Sequence, residues 1–177
     1  MRLRNLGLVL VVLLMFVLSG CVASAAEWPD RAVDVNIDSA MAGQEAGMAG
    51  LMMGAATMDE SQFSSFLTYL LKQNSGEKMP IESITAWFEP DNQIFLEVNA
   101  PGVINGADTV RLAGKVAVAN NAIQLDLSSV GLGPVMVEGP LVDYVESVIN
   151  NALADPQLGV AVDVATDTGS ITLGMGQ

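Results

Sequence analysis

Few residues in this chain can start a reaction. Cys21 is its one cysteine, and it has no histidine. Without an imidazole there is no Ser-His-Asp or Cys-His relay and no His-ligated zinc. Carboxylates are plentiful, twenty Asp and Glu, and a pair of them can cleave a glycosidic bond. No aromatic platform for a sugar accompanies them, since Trp28 and Trp87 are the only tryptophans. One acidic run has the spacing of a cation loop. Asp34-Val-Asn36-Ile-Asp38, with Glu45 eleven residues after Asp34, follows D-x-[DN]-x-[DN]-G-x5-E apart from Ser39, which stands where glycine makes the turn. Val33, Val35 and Ile37 alternate with those polar residues, so on a strand Asp34, Asn36 and Asp38 are simply the solvated face. Gly131-Leu-Gly133 opens like a dinucleotide fingerprint and is broken by Pro134 and Met136. These residues predict a protein that is not an enzyme and carries neither metal nor cofactor.

Cys21 matters for its position. Arg2 and Arg4 open the chain, residues 6–18 have no charged or polar side chain, and Leu18-Ser19-Gly20 lead into the cysteine. A positive start, a short apolar core and small residues before a cut describe a secretory signal peptide. The core is too short to span a bilayer, which takes about 20 residues. The Leu-Ser-Gly-Cys ending resembles the lipobox of bacterial lipoproteins. That resemblance implies cleavage before Cys21, a thioether-linked diacylglycerol on its sulfur, and a further acyl chain such as palmitate on the new N-terminus. Two or more acyl chains are what stable anchoring needs. The expected organisation is a lipoprotein signal peptide over 1–20, a tether over 21–32, and one α+β domain over 33–177. The expected location is outside the cytoplasm, held by the Cys21 lipid to the outer face of the cell membrane or to the outer membrane.

Removing the leader leaves 157 residues, with five basic side chains against twenty acidic ones, a net charge of −15. Nucleic acid and anionic headgroups repel such a body. Nucleic acid is therefore not an expected partner, and the membrane is reached through the anchor rather than through surface charge.

The elements follow from periodicity. Val33, Val35 and Ile37 predict an opening strand. Residues 39–56 are rich in Ala, Gly and Met and predict a loose helix with Met48, Leu51, Met52 and Ala55 on one face. Thr57-Met-Asp-Glu60 reads as a capping box, followed by Phe63, Phe66, Leu67, Leu70 and Leu71 on one helical stripe. After Pro80 the period becomes two. Ile84, Ala86 and Phe88, a turn over 89–93, and Ile94, Leu96 and Val98 predict a hairpin. Residues 100–107 read as a loop. A strand over Val110–Val118 turns at Asn120-Asn121 into Ile123, Leu125 and Leu127. Residues 135–137 read as a short edge piece. Pro140 opens a helix with Leu141, Val142, Val145, Val148, Ile149, Ala152 and Leu153 on one face. A last hairpin uses Val160, Val162 and Val164, a turn over 166–169, and Ile171, Leu173 and Met175. The simplest arrangement is α+β, with a curved antiparallel sheet wrapped around two or three amphipathic helices.

Five methionines, Met41, Met48, Met52, Met53 and Met58, crowd the Ala/Gly-rich segment. Methionine adapts to varied apolar shapes, which suits a pocket wall for a flexible hydrophobic ligand. Three segments carry a resemblance: Met79-Pro-Ile-Glu-Ser-Ile-Thr-Ala-Trp-Phe-Glu-Pro-Asp-Asn-Gln-Ile94, Leu112-Ala-Gly-Lys-Val-Ala-Val-Ala-Asn-Asn-Ala-Ile-Gln-Leu-Asp-Leu127, and the closing Thr168-Gly-Ser-Ile-Thr-Leu173. With the lipobox and the helices between, this order resembles small bacterial envelope lipoproteins whose fold is similar to the tubular lipid-binding (TULIP, BPI-like) group. The resemblance implies an acyl chain held between sheet and helix and no catalytic residues. Met48, Leu51, Met52, Phe63, Phe66, Leu67, Leu70, Val145 and Ile149 are the expected lining. The first expectation is thus an anchored, non-enzymatic protein binding a lipid or other hydrophobic ligand. The alternative is a structural or adaptor lipoprotein with a closed core and an acidic partner-binding face.

Overall fold

The computed structural model describes residues 28–75, 81–104, 107–129, 140–154 and 160–176. Their order is α1 (Ile37–Met53), β1 (Ala55–Asp59), α2 (Glu60–Ser75), β2 (Ser83–Glu89), β3 (Gln93–Ile104), β4 (Ala107–Ala119), β5 (Ala122–Ser129), α3 (Pro140–Leu153), β6 (Ala161–Asp167) and β7 (Ser170–Met175). The class is α+β and the sheets are antiparallel. They are two sheets, however, a four-stranded β2-β3-β4-β5 and a three-stranded β1-β7-β6.

The hairpins form where the turn residues allow. Ala119 pairs with Ala122, and the two residues between them, Asn120 (φ 53°) and Asn121 (φ 63°), both take the left-handed conformation that a two-residue loop needs. Asp91 and Asn92 do the same between β2 and β3. Where a loop is expected over 100–107, residues 100–104 and 107 are instead strand. β3 continues to Ile104 and β4 starts at Ala107, with a register irregularity after Asn99.

One face of the four-stranded sheet carries Ile84, Phe88, Ile94, Leu96, Leu112 and Leu125, all fully buried. Phe63, Leu67 and Leu71 of α2 and Val145 and Ile149 of α3 lie on it, and Met58, Ile171 and Leu173 of the smaller sheet complete a single apolar cluster. Phe63 meets Phe88 edge to face at 5.1 Å. The three α2 side chains alone contribute about 5–9 kcal/mol of gross burial. The smaller sheet is fastened through β6 to the hairpin ends of the larger one. Ala161 N–H donates to the Asn121 carbonyl (3.1 Å), and Thr166 N–H donates to Asn92 Oδ1 (3.2 Å).

Helix side chains take the place of strands at both borders of the four-stranded sheet. Along β2, Ile84 N–H donates to Thr68 Oγ1 (2.9 Å), Ala86 N–H to Ser64 Oγ (2.8 Å) and Phe88 N–H to Glu60 Oε1 (2.9 Å). The two hydroxyls return the bond, Thr68 to the Ile84 carbonyl and Ser64 to that of Ala86. Residues four apart on a helix rise about 6 Å, and residues two apart on a strand about 6.8 Å, so Glu60, Ser64 and Thr68 keep step with the strand. Along β5, Asn150 closes both polar groups of Leu125, accepting from its N–H (2.7 Å) and donating to its carbonyl (2.9 Å). Glu146 accepts from Leu127 N–H (2.8 Å).

The opening strand is absent, and residues 31–36 belong to neither sheet. Their alternation is used by α2 instead. Asp34 N–H donates to Ser61 Oγ (3.1 Å) and Asn36 N–H to Ser65 Oγ (3.0 Å), while Ser65 donates to the Asp34 carbonyl (3.2 Å). The capping box is also displaced. Asp59 and Gln62 bond each other's backbone N–H reciprocally, at 2.8 and 3.0 Å, so α2 opens at Glu60. Thr57 and Met58 are held in β1 by Thr172 and Ile171. In β6 a register shift lies between Ala161 and Asp163. It turns Ala161 and Val164 inward and leaves Val160 and Val162 in water. The edge piece expected over 135–137 lies outside the described residues.

Candidate functional site

α1 is where the side chains depart from the usual inside-out rule. Asn36 caps its start, accepting from Ser39 N–H at 2.8 Å, and left-handed Gly54 ends it. That cap occupies Asn36 Oδ1, and Asp38 lies exposed in the first turn. The acids of the calcium-like spacing thus lie on a segment and a helix rather than around a loop. Among the described residues no group of acidic, His or Cys side chains could hold a metal.

The inward face of α1 is made of small residues. Ala40, Gly43 and Gly50 are buried and Gly47 is half-buried, a spacing of three, four and three. A Cβ on Gly43 would stand 2.8 Å from the Gln62 carbonyl oxygen of α2. A Cβ on Gly50 would overlap the Ala56 side chain and lie 2.8 Å from its Cα. The backbones therefore touch, and no large side chain fits between them. Ile37 and the four methionines of α1 point away. Met52 is 84 % exposed, Met53 80 %, Met41 63 %, Met48 62 % and Ile37 51 %. Ile37, Met41, Met48 and Met52 fall on one stripe, and exposed Gln44, Glu45 and Asp38 share that outer side.

The residues expected to line one pocket are accordingly divided. Met48 and Met52 lie on the outer surface of α1. Phe63, Leu67, Val145 and Ile149 are fully buried in the core between helices and sheets. Phe66 is half-buried against α1, its Cβ 3.3 Å from where a Gly43 Cβ would be. Leu70 packs at the margin of the core. The Leu51 side chain and Cys21 lie outside the described residues.

Two further clusters tie the entering chain to the body. Arg31 donates to Glu60 (2.6 Å) and Glu89 (2.7 Å) and to the Phe88 carbonyl (3.0 Å). The hydrogen bond from Arg31 holds the Glu89 carboxyl below the usual glutamate range, against the opposing effect of burial and with help from the Thr168 hydroxyl. The same partners, Glu60 first, raise Arg31. On the outer face of the four-stranded sheet, Trp28 meets Trp87 and Phe95 edge to face, at 5.6 and 5.4 Å, and Arg111 lies 4.9 Å from its ring. Trp87 Nε1–H donates to the Arg31 carbonyl at 2.9 Å. From Trp28 onward, then, the segment read as tether is bonded to the domain.

The spacing of the small residues was the one sequence signal of the inverted helix. Sorting residues by hydrophobicity places methionines inside. Asking instead which face holds the glycines, at 43, 47 and 50, finds the close approach. No family model, no curated protein and no solved structure matches this chain.

Proposed function

We propose that this chain is a lipid-anchored, non-enzymatic protein of the bacterial cell envelope that acts as an adaptor, with a closed core and with the outer face of α1 presented to a partner. The observation that carries this reading is the row of exposed methionines on a helix that packs on the body through its opposite, glycine-lined face. Exposed apolar surface of this kind marks interaction sites. The anchor rests on the leader, on Cys21 and on their resemblance to a lipobox. A ligand between sheet and helices is less well supported. Phe63, Leu67 and Ile149 pack together in the core between helices and sheet, which favours a closed core over a bound acyl chain.

Mass spectrometry of the protein isolated from cell membranes tests both parts. The expected mass lacks residues 1–20 and gains a diacylglycerol and one acyl chain, and Cys21→Ser keeps its leader. An unmodified thiol overturns the anchor. Under native conditions the expected species carries no other lipid, and one stoichiometric bound lipid overturns the closed core.

A further inference from the structure

We propose that the outer face of α1 is a docking site for a basic amphipathic helix of a partner protein. This rests on the adaptor reading and adds the partner's chemistry.

Shape comes first. Ile37, Met41, Met48 and Met52 make a stripe about 22 Å long, at 1.5 Å per residue. That is four turns of helix, the length over which an amphipathic helix presents its own apolar row. Methionine side chains rearrange around whatever row they meet. The stripe is also permanent. For α1 to roll its methionines inward, Gly43 and Gly50 would have to give up contacts that leave no space for even a Cβ.

Charge selects among occupants. α1 contains Asp38 and Glu45, both exposed, and no Lys or Arg. Exposed Asp34 precedes it, and the whole chain carries −13. A second copy brings the same carboxylates against themselves. An anionic bilayer is repelled in the same way. A helix with an apolar row flanked by Lys or Arg gains on both counts, through contact with the methionines and through pairing with Asp38 and Glu45.

The test uses the full-length acylated protein in phosphatidylcholine nanodiscs. The probe is a fluorescent Lys/Leu peptide of about five helical turns, titrated at about 150 mM salt and read by anisotropy against empty discs. The expected result is binding that weakens about tenfold or more in M48Q/M52Q, through loss of apolar contact. A Lys/Ser peptide of equal charge binds weaker by a similar factor, and D38N/E45Q binds more weakly with a reduced salt dependence. Equal binding of the Lys/Ser peptide, or no effect of M48Q/M52Q, overturns the proposal in favour of acidity alone. Sedimentation showing a dimer that M48Q/M52Q abolishes overturns it in favour of a second copy. Quenching of a fluorophore at Met48→Cys by brominated phosphatidylcholine overturns it in favour of the bilayer. An unmodified Cys21 together with methionine-dependent peptide binding refutes the anchor and leaves the docking site standing.

Discussion

Thr68→Val separates the shape of a side chain from its hydrogen bonds. The two residues are nearly isosteric, and Thr68 is buried among apolar neighbours, so little packing changes. What changes is the border of β2. The Thr68 hydroxyl accepts from Ile84 N–H at 2.9 Å and donates to the Ile84 carbonyl at 3.1 Å. Removing it strands two backbone groups with α2 above them, and each unmade bond costs about 1–3 kcal/mol. Some of this is offset by the extra methyl, leaving an expected loss of about 2 kcal/mol. Ser64→Ala acts one rung along, on Ala86, and because the rungs share one helix and one strand the double variant is not expected to be additive. Urea unfolding followed by tryptophan emission reads this directly. With a slope of about 2 kcal/mol/M, the midpoint falls by about 1 M while the slope stays fixed. Thr57→Val is the control, since Thr57 bonds Thr172 at 3.0 Å on the exposed side of its strand, and less than about 0.5 kcal/mol is expected. A Thr68→Val midpoint within error of the parent would refute the account of how this border is closed.

Other consequences can be checked in the same assay. Gly47→Ala meets only the tip of Met58, at 3.4 Å, so the gain in helix propensity prevails and the urea midpoint rises, by up to about 1 kcal/mol of stability. Gly50→Ala meets Ala56 and falls by about 1–3 kcal/mol through overpacking. M48Q/M52Q stays within about 0.5 kcal/mol of the parent, as expected for exposed side chains. Arg31→Ala costs about 1–3 kcal/mol, because it leaves the buried Glu60 carboxylate without its cation while Arg31 itself is partly solvated. The depressed Glu89 carboxyl contributes stability that is whole above the ordinary glutamate value of about 4.3 and fades as pH falls below it. The stability difference between the parent and Glu89→Gln should therefore shrink on acidification, and a difference that grows instead would contradict the sign.

Much of the architecture was legible because it is local. Asn120-Asn121 and Asp91-Asn92 announce their turns by tolerating positive φ, and the α3 stripe through Val142, Val145 and Ile149 needs only the helical period. The errors share one cause. Val33, Val35 and Ile37 alternate like a strand, but alternation cannot say whether the neighbour is a strand or, as here, Ser61 and Ser65 of a helix. Thr57–Glu60 and Asp59–Gln62 are both acceptable capping boxes, and the choice is made by β7, more than a hundred residues away. The shift at Val162 is likewise imposed by pairing with β7. In the candidate site the methionines stood out as a cluster, yet their direction depends on how closely α1 approaches α2 and Ala56. That distance is set by glycines, which carry no hydrophobic signal.

Serine, threonine, glutamate and asparagine along the two helices thus let the larger sheet come to an end. A strand border left open invites one more strand from any neighbour, and the size of the assembly then depends on how crowded the molecules are. Here the four-strand limit is written into α2 and α3, so the count of strands is a property of one molecule at any concentration.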